Sequence, residues 1–202
     1  WSCAVTAQKY LLSHLDLVHS PTLALFPMKP HNRYVLTVHD IIFKKFPQYL
    51  PKGTIRHTKF FFRHNLNLAD IIIAVSQSTR NDIIQEYGIN KEKIVVIPEA
   101  ADPIYRPVPD KEKEKIIQKY SLKDPFILYV GTIEPRKNII TVLDAFASCL
   151  KSHPNLELVI AGKKGWYYER IFIHLQKIGI QNKVKFIGYI PISDLPALYN
   201  AA

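Results

Sequence analysis

The hydrophobic positions of the chain fall into short continuous apolar runs that alternate with longer stretches of helical periodicity. A run such as IIIAV at 71–75 predicts a strand that is covered on both faces. Along 139–152, apolar residues recur at steps of three and four, which predicts a helix with one buried stripe. Alternation of this kind is typical of βαβ units, so the chain is predicted to be an α/β protein with parallel sheets.

The predicted strands are 16–19, 34–39, 70–76, 93–98, 126–131, 156–162 and 184–189. The predicted helices are 54–68, 78–87, 111–120, 139–152, 167–178 and 193–200. Ser76 or Ser78 is expected to cap the second helix at its start, and Gly88 is expected to end it.

The stretch 98–110 carries four prolines and no periodicity, so it is interpreted as a linker. It separates residues 1–97, predicted to be the C-terminal part of one α/β unit, from residues 111–202, predicted to be the N-terminal part of another. A length of 202 residues also favours two smaller or incomplete units. The sequence begins without Met and ends inside a predicted helix, which suggests a piece of a longer protein.

The charge balance narrows the class of partner. Twenty-seven basic and 17 acidic residues give a net charge of +10, which favours nucleotides, phosphorylated lipids, nucleic acid or a membrane surface. No aromatic signature of an RNA-recognition sheet is found, which weakens the nucleic-acid alternative. Two distant cysteines, the absence of Asp-x-Asp and the absence of a Gly-x-Ser-x-Gly elbow give no support to metal-dependent or serine-hydrolase chemistry.

The segment FILYVGTIEPRKNI at 126–139 carries the most informative candidate site. A predicted strand ends at Gly131, and a polar loop containing Thr132 leads through Arg136 and Lys137 into a helix. A helix N-terminus attracts phosphate. Arg136 adds a planar guanidinium group that can bind two phosphate oxygens, and Lys137 adds a compact ammonium charge. Ligands of open α/β sheets bind at the carboxyl ends of strands, so the loop is predicted to cradle a diphosphate. The alternative is a solvated helix start.

Two other strand ends repeat the pattern of a strand followed by glycine. Gly162 and Gly165 can allow a ligand to approach the backbone closely, or can serve core-packing turns. Gly188 and Tyr189 follow the last predicted strand, where the tyrosine ring can flank a nucleobase or cover the core. Gly162, Gly188 and Tyr189 are the tentative nucleotide-binding candidates.

His39 and Asp40 lie at the carboxyl end of the strand 34–39. The imidazole can donate to a substrate hydroxyl or phosphate, and the neighbouring carboxylate can orient it or accept a proton. The alternative is a structural histidine.

The helix 54–68 interleaves Arg56, Lys59 and Arg63 with phenylalanines. This pattern fits either contact with anionic lipid or a solvated basic face over a core stripe.

Six motifs in order carry a family resemblance: TVHD at 37–40, ADIIIAVSQSTRNDI at 69–83, KIVVIPEAADPIYRP at 93–107, YVGTIEPRKNI at 129–139, LVIAGKKGW at 158–166 and VKFIGYIPISDLPALYNAA at 184–202. The set resembles family 4 glycosyltransferases, in particular their mannosyltransferase-like members, over nearly the whole chain. The resemblance implies the GT-B architecture, in which two Rossmann-like doubly wound domains bind acceptor and sugar nucleotide respectively, both incomplete here.

The resemblance also implies a reaction: retaining transfer of a hexose, with mannose favoured, from a nucleoside-diphosphate sugar to a polysaccharide or lipid-linked acceptor. No cofactor and no metal are expected in the chemical step. His39 matches the histidine that contacts the donor, and Lys137 and Arg136 match the residues that neutralise the departing diphosphate. A cytoplasmic location, with peripheral contact to the cytosolic membrane face, is expected, and nucleic acid is not an expected partner.

Three departures from the family pattern qualify these expectations. Thr132 stands where some members have arginine, and Glu99-Ala100 stands where many have Asn-Gly. The glycine-containing first loop and the Glu-x₇-Glu motif are absent from the sequence, so the chain by itself is expected to be inactive. Two alternatives stay open: a non-catalytic protein that binds a nucleotide or phosphorylated ligand, and a sugar-nucleotide epimerase of the same architecture.

Overall fold

The computed structural model describes residues 15–22 and 33–202. The chain divides into two compact units, residues 1–100 and 101–202, and this division falls inside the predicted linker. Residues 98–109 form neither helix nor strand. Asn200 holds this segment at two points, because its side chain donates to the Arg106 carbonyl at 3.0 Å and accepts from the Val108 N–H at 3.2 Å.

The first unit contains a four-stranded parallel sheet in the order β1–β2–β3–β4. Its strands are β1 (Leu17–Ser20), β2 (Arg33–Val38), β3 (Ile71–Ala74) and β4 (Ile94–Val96). Its described helices are α1 (Ile42–Lys45), α2 (Lys52–Leu68) and α3 (Gln77–Tyr87).

The described core of the first unit lies on one face of its sheet. Alternate residues of β2, Leu36 and Val38 among them, share one buried cluster with Phe62 and Leu66 of α2 and with Ile83 of α3. Since successive right-handed crossovers that advance in one direction put their helices on the same side of a sheet, α2 and α3 cover the same face.

The second unit contains a three-stranded parallel sheet in the order β5–β6–β7. Its strands are β5 (Phe126–Val130), β6 (Glu157–Ala161) and β7 (Val184–Gly188). Its helices are α4 (Asp110–Lys119), α5 (Ile139–Cys149), α6 (Glu169–Ile178) and α7 (Leu195–Ala201).

Both faces of the second sheet are covered. Leu158 and Ile160 of β6 belong to one buried cluster with residues of α5 and α6. Val159 and Ala161 point to the opposite face and join a cluster with residues of α4 and α7. Because alternate side chains of a strand point to opposite faces, β6 needs a continuous apolar sequence. This arrangement is the doubly wound one that the sequence predicts.

The predicted α/β fold with parallel sheets is confirmed, and every predicted strand and helix has a counterpart in the structure. Ser76 caps α3 by accepting a hydrogen bond from the Thr79 N–H at 3.1 Å, and Gly88 ends it with φ of +66°. The helix predicted over 139–152 ends at Cys149, and turns follow it. The four-residue helix α1 was not predicted, because it is too short to show helical periodicity. Among the described residues, none of the helices combines the length and the apolar character that crossing a bilayer requires.

Candidate functional site: the carboxyl edge of the second sheet

Four of the predicted site residues line one pocket of about 290 Å³ at the carboxyl ends of β5 and β6. These residues are Gly131, Thr132, Gly162 and Tyr189, which come from three separate loops. Gly188 is not among the residues that line the pocket, but its carbonyl accepts a hydrogen bond from the Gly162 N–H at 2.7 Å. Carboxyl ends of parallel strands meet at one edge of a sheet, which explains why residues distant in sequence converge here.

Gly162 is required by a close contact between two loops. A Cβ atom at this position would lie 1.9 Å from the Gly131 carbonyl oxygen, so no side chain fits. The contact continues the hydrogen bonding beyond the strands, since the Gly131 N–H donates to the Ala161 carbonyl at 2.9 Å and the Ile133 N–H donates to that of Lys163 at 2.9 Å. The close neighbour of Gly162 is therefore protein backbone.

Gly165 has a similar structural role. A Cβ atom here would lie 2.7 Å from Cγ2 of Thr132 and 3.2 Å from Oε2 of Glu134. Glycine at 165 thus leaves space for the loop that follows β5. Of the two interpretations given to Gly162 and Gly165, the packing one has a direct structural basis.

The two predicted diphosphate-binding cations differ in their surroundings. Both lie on the 3₁₀ turn Pro135–Lys137, which precedes α5, and neither lines the pocket. The carboxylate of Glu134, only 8% exposed, accepts a hydrogen bond from Nε of Arg136 at 2.8 Å and forms an ion pair with its Nη2 at 2.6 Å. Lys137 is exposed and forms no ion pair within the described part of the chain. Arg136 is therefore held by its own loop, whereas the charge of Lys137 is not compensated there.

Glu134 is a residue that sequence reasoning missed. Its position two residues before Arg136 was a usable signal, because a turn brings such side chains together. Its charge also affects Tyr129 of β5: burial raises the pKa of this phenol, the negative charge of Glu134 raises it further, and Arg136 opposes the shift. The hydroxyl of Tyr129 therefore stays protonated at neutral pH, close to Gly131, whose ideal Cβ position lies 3.3 Å from that oxygen.

Lys163 is a second missed residue, which lines the pocket directly after Gly162. Its Nζ lies 4.6 Å from the centroid of the Tyr189 ring, within the range of a cation–π contact. Tyr189 is 61% exposed, so part of its aromatic ring is accessible at the pocket. Within the described residues, the backbone N–H groups of Thr132 and Lys163 have no hydrogen-bond acceptor.

His39 lies in the first unit, directly after β2, and both of its ring nitrogens are engaged. Nε2 donates to the Pro21 carbonyl at 2.9 Å, and Nδ1 lies 2.9 Å from Oε1 of Glu99. Asp40, one candidate for orienting the imidazole, is engaged elsewhere. Its carboxylate instead accepts a hydrogen bond from the Ile42 N–H at 3.0 Å, at the start of α1. A carboxylate distant in sequence takes this role, which no local pattern could indicate.

Within residues 15–22 and 33–202, no group of three or more His, Cys, Asp and Glu side chains could hold a metal ion. A second open pocket, of about 320 Å³, lies between the linker and α7 and contains none of the predicted site residues.

Solved structures share the fold of the chain. HepE of Anabaena, solved in complex with UDP-glucose, superposes with a TM-score of 0.77 at 22% sequence identity, over 98% of this chain and 54% of that one. WaaG, a glycosyltransferase involved in lipopolysaccharide biosynthesis, superposes with a TM-score of 0.70 at 20% identity, over 98% of this chain and 55% of that one.

Among curated proteins, the O-antigen chain mannosyltransferase B of Escherichia coli is 32% identical over 190 residues, which are 92% of this chain and 49% of the relative. The α-monoglucosyldiacylglycerol synthase of Streptococcus pneumoniae is 28% identical over 202 residues, 93% of this chain and 45% of the relative. The chain thus spans about half the length of these two relatives.

Two family models divide the sequence at the linker. The model of glycosyl transferases group 1 matches residues 110–202, which form the unit that contains the pocket. The model of Glycosyltransferase Family 4 matches residues 2–104, more than half of the 202 residues. The chain belongs to glycosyltransferase family 4.

Proposed function

We propose that the protein is a retaining glycosyltransferase that transfers a hexose, with mannose favoured, from a nucleoside-diphosphate sugar to a polysaccharide or lipid-linked acceptor. The observation that carries the proposal is the pocket at the carboxyl edge of β5 and β6. Because the backbone N–H groups of Thr132 and Lys163 have no acceptor within the described residues, an anionic ligand can accept hydrogen bonds from the backbone there. The mannosyltransferase relative in Escherichia coli supports the choice of sugar, and the complex of HepE with UDP-glucose supports the class of donor.

The proposed diphosphate site combines backbone donors with one cation that has no ion-pair partner within the described residues. The N–H groups of Thr132 and Lys163 lack acceptors within the described residues, and the first N–H groups of α5 have no intrahelical partner. Lys137 immediately precedes the N-cap residue of that helix and adds a full positive charge. Donors of this kind stabilise the negative charge that develops on a departing diphosphate. The N–H groups of Arg136 that are not bonded to Glu134 can assist.

The base is proposed to bind beside Tyr189, which presents an exposed ring with Lys163 against it. His39 is proposed to contact the donor sugar or its phosphate. For this contact, one ring nitrogen must exchange its present bond to Pro21 or Glu99 for a bond to the ligand.

The proposed reaction needs no protein nucleophile. The acceptor hydroxyl attacks the anomeric carbon on the face from which the diphosphate departs, and the leaving phosphate oxygen takes the hydroxyl proton. A new glycosidic C–O bond forms, the bond between the anomeric carbon and the phosphate oxygen breaks, and the configuration is retained. The proposal assigns the charge of the leaving group to Lys137 and backbone N–H groups, without a cofactor or metal in this step.

A lipid-linked acceptor would be used at the cytosolic face of a membrane, so we propose a cytoplasmic protein that acts there. The 202 residues by themselves are proposed to bind the donor without completing the transfer.

Calorimetric titration with GDP-mannose and UDP-glucose tests the donor site. Lys137→Ala is expected to weaken binding by about 10- to 100-fold, because a hydrogen bond to a charged group contributes about 1.5–3 kcal/mol. Lys177→Ala, which removes an exposed charge from α6, is the matched control and should leave the affinity unchanged. Equal affinities of the Lys137→Ala variant and the unsubstituted protein would refute the assignment of the cation.

Product analysis separates the proposal from its two alternatives. Transfer of hexose to an added acceptor supports the glycosyltransferase. An altered nucleotide sugar formed without acceptor would indicate an epimerase. Nucleotide binding without turnover in a protein of the relatives' full length would indicate a non-catalytic binding protein.

A further inference from the structure

Two large aromatic side chains are exposed on the loop that follows β6. Trp166 is 51% exposed and Tyr167 is 46% exposed, and we call these two residues the loop aromatics. Within the described part of the chain, neither ring takes part in an aromatic pair, a cation–π contact or a side-chain hydrogen bond. Because covering exposed aromatic surface is favourable, adjacent unpartnered rings indicate a place where a ligand can bind.

The residues on either side of the loop aromatics are held by contacts of their own. Tyr168 is half-buried and packs edge-to-face on Phe172 of α6, with ring centroids 5.7 Å apart. The Nζ atom of Lys164 lies 4.9 Å from the centroid of the Tyr168 ring and 5.1 Å from that of Phe172. Phe172 stacks in turn on Phe186 of β7, at 4.6 Å. The loop aromatics are therefore presented from a support that is packed onto the second unit.

The backbone at Tyr167 is strained. Its φ of +60° lies in the left-handed region, which is unfavourable for a bulky side chain and which glycine or asparagine adopts at lower cost. The ring offers little compensation, since it is nearly half exposed and has no aromatic or hydrogen-bonding partner within the described residues. Strain of this kind is concentrated at ligand sites. A tyrosine at this position therefore indicates a role for its side chain in binding.

The loop aromatics adjoin the donor pocket but are not part of its lining. Gly162 and Lys163, at the start of the same loop, line the pocket. Gly165 brings the next part of the loop against it, since an ideal Cβ atom there lies 2.7 Å from Cγ2 of Thr132, which also lines the pocket. A ligand group that contacts the loop aromatics therefore lies beside the proposed donor and outside its pocket.

We propose that Trp166 and Tyr167 bind a pyranose ring of the acceptor glycan next to the donor pocket. The inference rests on the proposed function, because it names a contact for the acceptor of that transferase. The carbon-bound hydrogens of a pyranose form an apolar face that stacks on the electron-rich face of an aromatic ring. The indole N–H and the phenol O–H can donate to sugar hydroxyls. A nucleobase could also stack here, but the pocket already contains the Tyr189 ring.

NMR titration with oligosaccharides tests this proposal without any donor or transfer reaction. The chain contains two tryptophans, so Trp1→Phe leaves a single indole N–H signal, that of Trp166. At least one of α-mannotriose, maltotriose and chitotriose is expected to shift this signal. Trp166→Ala and Tyr167→Asn should each weaken binding of that sugar by about 5- to 10-fold, measured by saturation transfer to the sugar, because each removes one aromatic contact. Trp166→Phe keeps an aromatic face and should lose less.

Two controls separate binding by the loop aromatics from general effects. Tyr199→Ala removes an aromatic ring of α7 that is 49% exposed, and it should bind sugar like the unsubstituted protein. Tyr167→Asn should unfold at the same temperature as the unsubstituted protein or a higher one, because asparagine adopts left-handed backbone at lower cost. A loss of sugar binding in this variant then comes from the missing ring and not from a damaged fold.

Several outcomes would overturn the proposal. They are failure of all three sugars to shift the Trp166 signal, unchanged sugar binding in Trp166→Ala, and an equal loss in Tyr199→Ala. A fall in the affinity of Trp166→Ala for GDP-mannose, with sugar binding intact, would assign the ring to the nucleobase and would also overturn it. Sugar binding by the loop aromatics in a protein that fails to bind nucleotide sugars would contradict the proposed donor site alone.

Discussion

The two sheets end differently at their carboxyl edges. The second sheet ends in glycines, and the loops that carry Gly131 and Gly162 leave a pocket of about 290 Å³. At the edge of the first sheet, polar side chains are engaged within the protein: His39 contacts Glu99, the Asp40 carboxylate accepts from the Ile42 N–H, and the Ser76 hydroxyl accepts from the Thr79 N–H. Equivalent positions of two similar sheets thus carry different chemistry. The edge of the second sheet is lined largely by backbone and is open to a ligand. At the edge of the first sheet, a polar side chain can bind a ligand only after it gives up a hydrogen bond or ion pair within the protein.

The sheets also differ in how their central strands are covered. IIIA in β3 and LVIA in β6 are both continuously apolar, yet burial alternates along β3 and is continuous along the last four residues of β6. Helices α4 and α7 account for the second covered face in the second unit, because they precede the first strand and follow the last. An apolar run therefore predicts a strand but does not by itself show which faces are covered.

The largest expected effect on stability concerns the contact between the loops of Gly131 and Gly162. Gly162→Ala places a methyl group 1.9 Å from the Gly131 carbonyl oxygen, so the two loops must separate. We expect a loss of about 3 kcal/mol in the free energy of unfolding of the second unit, at the upper end of overpacking costs. Urea denaturation measures it.

Gly53→Ala in α2 is the control for that change, since a Cβ atom there meets nothing within 4 Å. It should be neutral or stabilising by up to about 1 kcal/mol. Similar stabilities of the two variants would contradict the close contact at Gly162.

A smaller effect is expected from the turn before α5. Arg136→Ala leaves the buried Glu134 carboxylate without its partner, which should cost about 2 kcal/mol of stability, less than for a fully buried pair because Arg136 is 30% exposed. Lys137→Ala should leave stability within about 0.5 kcal/mol and act on nucleotide affinity alone. Thermal and urea unfolding of both variants, measured beside calorimetry with GDP-mannose, distinguish the structural cation from the free one. A large loss of stability in Lys137→Ala would contradict this division.

The stability of the second unit should depend on pH through the hydrogen bonds of Asp194, the residue that precedes α7. Hydrogen bonds from Lys119 and then Tyr120 hold the pKa of Asp194 below its usual value, against the opposing effect of burial. Since the folded-state pKa is depressed, the stabilisation is present above pH 4 and is lost as the pH falls below about 4. Asp194→Asn should remove about 1 kcal/mol at pH 7 and flatten the acid limb of the unfolding curve. Unchanged acid dependence would refute the pairing.

Tyr120, whose hydroxyl donates to Asp194, should make the stability of the second unit fall at alkaline pH. Burial, and then its bond to Asp194, raise the pKa of the phenol to about 12. Because the folded state holds this proton more tightly, the stabilisation is complete below pH 10 and declines as the pH rises from about 10 to about 12. Tyr120→Phe should reduce that decline, and the raised pKa values of Tyr129 and Tyr87 account for the part that remains. Asp82→Asn, which breaks the Lys45 ion pair of the first unit, is the comparison and should leave the alkaline limb unchanged.

The smallest expected effect concerns the edge of the first sheet. His39 and Glu99 have side chains that are 46% and 65% exposed, so Glu99→Gln should change stability by less than about 0.5 kcal/mol. The substitution should nevertheless alter the NMR chemical shifts of the His39 ring nitrogens. Unaltered shifts would show that the contact does not persist in solution.

The candidate site was predictable where chemistry follows directly from a strand end. Gly131, Thr132, Gly162 and Tyr189 each follow a recognisable apolar strand, and parallel strands bring their carboxyl ends together. The bond between His39 and Glu99 was not predictable, because sequence patterns report neighbours along a helix or strand and not contacts between distant loops. Glu134 could have been found from the sequence, but its hydrogen bond and ion pair with Arg136 depend on the geometry of the turn.

By itself, the sequence determined the parallel α/β fold, the order of its strands and helices, the Pro-rich division and the family, because hydrophobic periodicity and ordered motifs are local properties. Only the tertiary structure decided which glycines serve packing, which cation is already neutralised and which carboxylate meets His39. Those properties depend on distances between segments that folding brings together, and on burial, which makes a charge such as that of Glu134 depend on its partner.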